Sequence, residues 1–159
     1  MLYSCRDYRE LVSMILETEA PLSEEVLLKR TVAWFGREKV TSTVKQEFDR
    51  QMIGCERFGI ERRSGFLYRK DMKEIRFRKL GDLKREIRQI APDELADGML
   101  EILKHNISAE KDSLFRTLAL QCGVSRVTAP MTICFEKALA CLDGKVDISD
   151  DQITIRDDQ

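Results

Sequence analysis

The sequence has little histidine, tryptophan or proline, with one His, one Trp and three Pro among its 159 residues. It also lacks a run of about 18 apolar residues, which a membrane-spanning helix needs. Its first residues, Met-Leu-Tyr-Ser-Cys-Arg-Asp, do not follow the basic and then apolar pattern of a signal peptide. We therefore expect a cytoplasmic protein without membrane contact, and its length allows one domain or two small ones.

Metal-binding and catalytic patterns are missing as well. The cysteines form no Cys-x-x-Cys pair, and their odd number does not suit a disulfide framework; they are Cys5, Cys55, Cys122, Cys134 and Cys141. His105 has no obvious nucleophile or carboxylate partner, and we interpret it as a helix-end residue. No phosphate-binding loop, dinucleotide fingerprint, nucleophile elbow or His-Glu-x-x-His motif occurs. The sequence therefore predicts no enzyme activity of its own, no metal ion and no cofactor.

Charge is balanced overall, at a formal net charge of -1, but unevenly distributed. Residues 1–92 carry 20 basic and 15 acidic side chains, whereas residues 93–159 carry 7 and 13. Residues 57–88 alone hold 12 basic and 5 acidic ones, interleaved with Phe58, Phe66, Tyr68 and Phe77. Basic residues between aromatic ones are typical of nucleic-acid-binding surfaces, although a charge run is as often a solvated face.

An internal repeat is the most informative feature of the chain. The pattern Gly-x-x-basic-Val-Thr occurs at residues 36–41 and again at 123–128, an offset of 87. The same offset aligns 48–52 with 135–139 and 66–69 with 153–156, while 21–24 align with 106–109 after a two-residue slip. The sequence thus looks like one module used twice.

Periodicity in the first copy predicts three helices. The first ends before Pro21 and has an apolar stripe of Tyr8, Leu11, Val12, Ile15 and Leu16. The second runs from an N-cap at Ser23 to Gly36, a residue type suited to a left-handed helix end. The third starts near Thr41 or Ser42 and has an apolar stripe of Val40, Val44, Phe48 and Met52.

A β-hairpin is expected after the helices of each copy. In the first, strands at 57–60 and 66–69 are connected through Arg62-Arg63-Ser64-Gly65, with glycine near the turn. In the second, helices are expected from residue 92 or 93, from 108 to 122 and through Phe135, with Pro130 in the first turn of the last helix. Strands at 145–148 and 153–155 complete the second copy.

Three helices and a hairpin, twice over, predict a mainly α protein of the α+β class with a tandem winged-helix architecture. The competing architecture is a pair of all-helical bundles. We expect winged-helix domains at residues 1–70 and 93–159, joined by a basic connector at 71–92. The connector should pack, as a strand that extends the first wing and then a helix, because it is too apolar for a free linker. Its apolar residues are Ile75, Phe77, Leu80, Leu83, Ile87 and Ile90.

Several motifs resemble those of a known but uncharacterised domain. They are Glu-Ala-Pro-Leu at 19–22, Phe-Gly at 35–36, Gly-Phe-Leu-Tyr at 65–68, Ile-Arg-Phe-Arg at 75–78 and Ile-Ala-Pro-Asp-Glu-Leu-Ala at 90–96. This domain of unknown function closes large bacterial proteins in which a superfamily 1 DNA helicase is joined to a restriction-endonuclease-like domain. The resemblance covers residues 8–156 and departs at Cys122, where the pattern has an aromatic residue like Phe35. It implies a C-terminal piece of a helicase-type ATPase, with the other domains of that protein as partners.

DNA binding by the first copy is the first function to consider. A winged helix places its third helix in the major groove and its hairpin against the backbone. The candidate DNA-binding residues lie on that helix, on the hairpin turn and beside it: Lys39, Thr41, Ser42, Lys45, Arg50, Arg62, Arg63 and Lys70. Lys and Arg would contact phosphates, and the hydroxyls would bond phosphate oxygens or bases. Each residue taken alone also fits an exposed position that only aids solubility.

Protein docking or homodimer formation within a helicase or nuclease assembly is the alternative. The second copy is acidic, and its hairpin carries Asp143, Asp147, Asp150 and Asp151, which would repel a polyanion. Its counterparts of candidate residues in the first copy are Arg126, Thr128 and Lys137. We therefore expect the first copy to contact DNA and the second to contact protein.

Overall fold

The chain divides into two units, Met1–Lys73 and Glu74–Gln159, called unit 1 and unit 2 below. The computed structural model describes residues 5–79 and 85–157. In these residues the fold is α+β, with six α-helices and two three-stranded antiparallel sheets. Each unit contains three of the helices and one of the sheets.

Unit 1 begins with a helix and ends with a hairpin. Its elements are α1 (Cys5–Glu19), β1 (Leu22–Ser23), α2 (Glu24–Trp34), α3 (Ser42–Gln51), β2 (Ile60–Arg63) and β3 (Phe66–Arg69), and the strand order is β1-β3-β2. The predicted helix starts are confirmed by their caps. Ser23 Oγ accepts from the backbone N–H of Val26 at 3.2 Å, and Thr41 Oγ1 accepts from that of Val44 at 3.3 Å.

The core of unit 1 includes residues from all three helices and the hairpin. Leu27 of α2 and Phe48 of α3 are among its buried side chains. The predicted stripe of α3 is correct for Phe48 and Met52, but Val40 is 38% exposed. Because Thr41 is the N-cap, Val40 precedes the helix and does not share its buried face.

The hairpin of unit 1 begins later than the sequence predicted. Residues Cys55–Phe58 form a 3-10 turn and the first strand starts at Ile60, so the predicted strand at 57–60 is wrong. Gly54 and Gly59, on either side of the 3-10 turn, have φ of 70° and 82°. These left-handed conformations interrupt an extended backbone, and glycine adopts them without steric cost.

The turn of this hairpin is two residues long. Ser64 and Gly65 have φ of 49° and 81°, and Arg63 pairs with Phe66 across them. Two consecutive left-handed residues are typical of the turns that close tight hairpins. Arg62 and Arg63 are therefore strand residues, and the prediction that they belong to an exposed turn is wrong.

Unit 2 repeats the order of elements of unit 1. Its elements are α4 (Pro92–Asn106), β4 (Ser108–Glu110), α5 (Lys111–Gln121), α6 (Ala129–Ala140), β5 (Val146–Ser149) and β6 (Gln152–Ile155), with strand order β4-β6-β5. The helix predicted from residue 108 begins at Lys111, because residues 108–110 pair with β6 as a strand. Pro130 lies in the first turn of α6, as predicted.

The strand register corrects the alignment of the two copies. Leu67 and Ile153 hold the same place in their hairpins, second after the turn, which gives an offset of 86 and not the predicted 87. Leu67 pairs with Leu22 in the first strand, and Ile153 pairs with Ala109. The first strands therefore align at an offset of 87, and the predicted two-residue slip is wrong.

From residue 74 onward, the described part of the connector packs in unit 2. Phe77, Ile87 and Ile90 are buried in its core, which confirms the prediction that this segment packs. They come from irregular backbone and a 3-10 turn at Ile87–Gln89, so the predicted strand and helix do not occur in these residues. The segment is therefore held by the packing of its side chains and not by strand pairing. The predicted apolar residues Leu80 and Leu83 lie outside the described residues.

Gly98 in the middle of α4 makes room for the connector. A Cβ at this position would lie 3.0 Å from the ring of Phe77 and 2.8 Å from Leu118 Cδ1. Leu11 holds the equivalent position of α1, at the offset of 87, and is buried. The ring of Phe77 therefore occupies space beside α4 that a side chain on α4 would otherwise fill.

Cysteine and histidine side chains do not form a common site in the part of the chain that the structure describes. Cys55 and Cys122 are buried, and burial raises the pKa of the Cys122 thiol to about 11. His105 is exposed in the last turn of α4, at the helix end where it was expected. Among the described residues, no three His, Cys, Asp or Glu side chains are arranged to hold a metal ion.

None of the helices described here has both the length and the apolar character that spanning a bilayer requires.

Candidate nucleic-acid interface

The N-terminal end of α3 carries four of the candidate residues. Lys39, Thr41, Ser42 and Lys45 are all exposed there. The Thr41 hydroxyl oxygen accepts the cap bond from Val44 and keeps its own proton for another acceptor. Neither Lys39 nor Lys45 forms an ion pair with a described residue. Two ammonium and two hydroxyl groups are therefore available at one end of this helix.

Arg50, further along α3, is bound by a carboxylate of its own helix. Its Nη2 and Nε donate to the two carboxylate oxygens of Glu47, at 2.6 and 3.0 Å. Hydrogen bonds from Arg50 and then from Gln51 lower the pKa of Glu47. Because the two charges offset each other, Arg50 adds little positive charge to the surface of α3.

Arg62 links three elements of unit 1. Its Nη2 lies 2.7 Å from Asp49 Oδ1 on α3 and 3.1 Å from Glu24 Oε2 at the start of α2, and its Nε also donates to Glu24. The guanidinium lies over the ring of Phe48, 5.8 Å from the centroid. Hydrogen bonds to Glu24, and also to Asp49, raise the pKa of Arg62. This residue therefore joins β2 to two helices.

The last two candidates lie at opposite ends of the hairpin. Arg63 pairs with Glu61, Nε to Oε1 at 3.0 Å, and its guanidinium lies 4.0 Å from the ring centroid of Tyr68. Lys70 follows β3 at the base of the hairpin, where its backbone N–H donates to Gly59 O at 2.9 Å. The Lys70 side chain is exposed and has no ion-pair partner among the residues that the structure describes. Lysines and hydroxyls are thus available for a ligand, whereas the candidate arginines already bind other side chains.

The basic stretch at residues 57–88 is divided between the units. With the boundary after Lys73, unit 1 has 14 basic and 12 acidic residues and unit 2 has 13 and 16, which gives net charges of +2 and -3. The counts for residues 1–92 and 93–159 give net charges of +5 and -6, a larger contrast, because they include the connector in the first copy. The charge contrast between the two compact units is therefore small.

Glu94 of α4 is a fully buried carboxylate that binds two of the connector's arginines. It accepts from Arg78 Nε at 3.0 Å, Arg78 Nη2 at 2.8 Å, the backbone N–H of Arg78 at 3.1 Å and Arg85 Nη1 at 2.7 Å. Burial alone would raise its pKa, but the hydrogen bonds from Arg78 and Arg85 outweigh burial and lower the pKa of Glu94. The local sequence gives no sign of this arrangement, because an acid in the first turn of a helix is usually an exposed partner of the helix dipole.

Unit 2 has a pocket beside the segment that leads into α6. Its volume is about 350 Å³, and one of its walls is formed by α5. The polar residues that line it are Asp112, Arg116, Ser125, Arg126 and Thr132. Arg126 is the counterpart of Lys39, whereas Thr128 and Lys137 are exposed and do not line this pocket. The repeat in the sequence points to Arg126 but not to the pocket, because Arg116 on the other wall lies 10 residues away in the chain.

No protein-family model, curated protein or solved structure matches the chain. The resemblance to the helicase-associated domain therefore stays a hypothesis that rests on the motifs quoted above.

Proposed function

We propose that this chain is a non-catalytic nucleic-acid-binding module in which unit 1 contacts DNA through the N-terminal end of α3. The observation that carries the proposal is the order of elements: helix, short strand, helix, helix and hairpin, with the first strand beside the last one. Winged-helix domains have this order. Because both units have it, we propose a tandem winged-helix architecture.

The exposed residues at the start of α3 suit the contacts that such a fold makes. A helix of this type enters the major groove with its N-terminal residues closest to the bases. Lys39 and Lys45 then approach phosphates, while Thr41 and Ser42 donate hydroxyl protons to phosphate oxygens or base acceptors. In this arrangement the lysines provide affinity, and the hydroxyls provide any sequence preference.

A larger helicase-type protein is the context that we propose for this binding. The support is the resemblance of the motifs to the domain that closes helicase and nuclease fusion proteins. In that context the module holds DNA while an ATPase in another domain acts on it. The module itself contributes binding and no chemical step.

Protein docking by unit 2 is the second candidate function, and exposed apolar side chains favour it. Ile133 on α6 is 58% exposed and stands where α3 has Gln46. Leu120 of α5 and Ile148 of β5 are exposed as well. Ile133 and Ile148 stand where unit 1 has the polar residues Gln46 and Arg62. Exposed apolar side chains at positions that are polar in the other copy are typical of a contact with protein, including a second copy of this chain.

Fluorescence anisotropy of labelled duplex, forked and single-stranded DNA, recorded with the full chain at several salt concentrations, tests the proposal. The double variant Lys39→Ala with Lys45→Ala should reduce the log-log salt slope by about 2, because each lost phosphate contact removes about 0.9. A matched control, Lys104→Ala with Lys145→Ala, removes two exposed lysines of unit 2 and should bind like the wild type. Equal losses in both variants, or no binding by the wild type at low salt, would contradict DNA binding at α3.

Trp34, the single tryptophan of the sequence, provides a second measurement. It is 65% exposed at the end of α2, just before the segment that carries Lys39. DNA at the start of α3 should change its fluorescence emission, and the variant without Lys39 and Lys45 should need more DNA for the same change. Binding that is seen by anisotropy but leaves Trp34 emission unchanged would place the contact elsewhere.

A further inference from the structure

Two arginines from different elements line the pocket of unit 2. Arg116 belongs to α5 and Arg126 precedes α6, and both face the same cavity of about 350 Å³. This volume lies within the range of about 300 to 1,000 Å³ that is usual for ligand pockets. Within the described residues, neither arginine forms an ion pair. The pocket therefore holds two positive charges that the fold does not use.

In unit 1, the cation at the position equivalent to Arg116 is already neutralised by an acid of its own helix. Lys29 stands at the position of Arg116, and its Nζ lies 3.0 Å from Glu25 Oε1. In unit 2 the corresponding acid is Asp112, whose shorter side chain makes no ion pair with any residue that the structure describes. Asp112 is the one carboxylate among the lining residues, so the pocket keeps a net positive charge.

The remaining side chains of the pocket indicate the kind of anion that it suits. Ser125 is exposed and supplies a hydroxyl donor, whereas the Thr132 hydroxyl already donates to the backbone oxygen of Thr128, the N-cap of α6, at 3.2 Å. Guanidinium groups present paired N–H donors that match the oxygens of a phosphate. Val127 adds apolar surface beside the nearly buried ring of Phe115, which suits a phosphate that carries organic groups better than a bare ion.

We propose that this pocket binds a backbone phosphodiester of nucleic acid, with Arg116 and Arg126 on the phosphate oxygens. The inference rests on the nucleic-acid binding proposed above and extends it to unit 2, for which the acidic composition of residues 93–159 predicted protein docking. Arg126 stands at the position of Lys39, at the offset of 87. Each unit then contributes a cation from the segment that leads into its third helix.

The test replaces both pocket arginines in the full chain, as Arg116→Gln with Arg126→Gln, and measures anisotropy of labelled duplex over a range of salt concentrations. Loss of two phosphate contacts should reduce the salt slope by about 2 and weaken binding at about 0.1 M salt by about tenfold or more. The control Lys104→Gln with Lys145→Gln removes the same charge from exposed positions outside the pocket and should bind like the wild type. Thermal unfolding should not change in either variant, because all of these side chains are exposed.

A second arm identifies the source of the phosphate by NMR of the ¹⁵N-labelled chain. A dinucleoside monophosphate should shift the amide signals of Ser125 and Arg126, and the double arginine variant should not respond. Shifts with inorganic phosphate but not with the dinucleoside would make this a free-phosphate site and overturn the assignment. Wild-type DNA binding that the arginine variant leaves unchanged would overturn the pocket proposal alone. No DNA binding by the wild type would overturn the proposed function itself.

Discussion

In unit 1, Arg62 of β2 binds both Glu24 at the start of α2 and Asp49 on α3. In unit 2, the positions of the two acids hold Lys111 and Glu136, which pair with each other directly. The ionic link between the second and third helices is therefore present in both units, although the residue at the helix start has changed sign. The strand contributes a cation to this link only in unit 1.

The strand residue of this ionic link differs between the two units. Ile148 of β5 is the counterpart of Arg62 in the strand register, and it is exposed. An arginine on the hairpin thus serves the fold in one unit and is not needed in the other. Charge counted along the sequence therefore does not locate a binding surface. The cations that matter for a ligand are those that the fold leaves unpaired, such as Lys39 and Lys45.

The first helices of the two units also differ at positions that contact the connector in unit 2. α4 has Glu94 and Gly98 where α1 has Asp7 and Leu11, at the offset of 87. Asp7 is exposed, whereas Glu94 is fully buried under arginines of the connector. The connector therefore supplies unit 2 with a layer of charge and packing that its repeat alone would not have.

Removal of the buried carboxylate should have the largest effect on stability. Glu94→Gln should lower the free energy of unfolding by about 3 to 5 kcal/mol, because Arg85, whose side chain is 11% exposed, would keep its charge without its acid. Asp7→Asn, the matched change in unit 1, should stay within about 0.5 kcal/mol, as is usual at exposed positions. Urea unfolding followed by circular dichroism measures both. Similar losses in the two variants would contradict the special role of the connector.

Filling the space at Gly98 should have the next largest effect. Gly98→Leu should cost about 1 to 3 kcal/mol, because the new side chain would overlap Phe77 and Leu118. Gly98→Ala should be less unfavourable when Phe77 is also alanine, because the overlap with the Phe77 ring is then absent. What remains in its favour is that alanine is the better helix former by about 0.5 to 1 kcal/mol. A double-mutant cycle in urea measures this coupling. Strictly additive costs would mean that Phe77 does not occupy the space beside Gly98.

Breaking the Arg62 link should have a smaller effect and should separate folding from binding. Arg62→Ala should lower the unfolding free energy by about 1 kcal/mol, because its carboxylate partners remain partly hydrated. The salt slope of DNA binding should stay close to that of the wild type. Lys39→Ala with Lys45→Ala should do the reverse, with a lower slope and unchanged stability. The comparison fails if Arg62→Ala lowers the slope and leaves stability unchanged.

Acidification should reveal the smallest of these differences. The pKa of Glu94 lies below the ordinary 4.5, so the stability that its carboxylate provides is complete above pH 4.5 and is lost as the pH falls through the lowered value. The wild type should therefore lose more stability than Glu94→Gln between neutral pH and pH values below 4.5. Thermal unfolding of the two proteins over this range measures the difference, and parallel curves would contradict the assignment.

Helix positions could be predicted from the sequence because their signals are local. Ser23 and Thr41 cap the helices that follow them, and Pro130 fits the first turn of α6. The sequence pattern predicts the first hairpin too early because its start depends on the left-handed glycines Gly54 and Gly59, and a sequence does not show φ. The sequence pattern predicts helix at 108–110 because the strand that pairs with these residues lies about 44 residues away, beyond the reach of a local pattern.

The candidate site could be predicted only in part, for the same physical reason. Lys39 and Lys45 are exposed and available, as their positions at the start of a helix suggest. The acids that bind Arg62 lie 38 and 13 residues away, and Glu94 lies 16 residues from Arg78. Pairs at such separations leave no periodic signal, so the arginines that serve the fold and the lysines that are available look alike in the sequence.

The central claim is that unit 1 contacts DNA through the N-terminal end of α3. NMR mapping of the ¹⁵N-labelled full chain with a saturating amount of unlabelled duplex tests it most directly. Within unit 1, we predict the largest amide shifts at residues 39–45, a strong reduction in the variant without Lys39 and Lys45, and little change at Arg62. Signals at residues 39–45 that do not move, while duplex binding is confirmed by anisotropy, would contradict the claim.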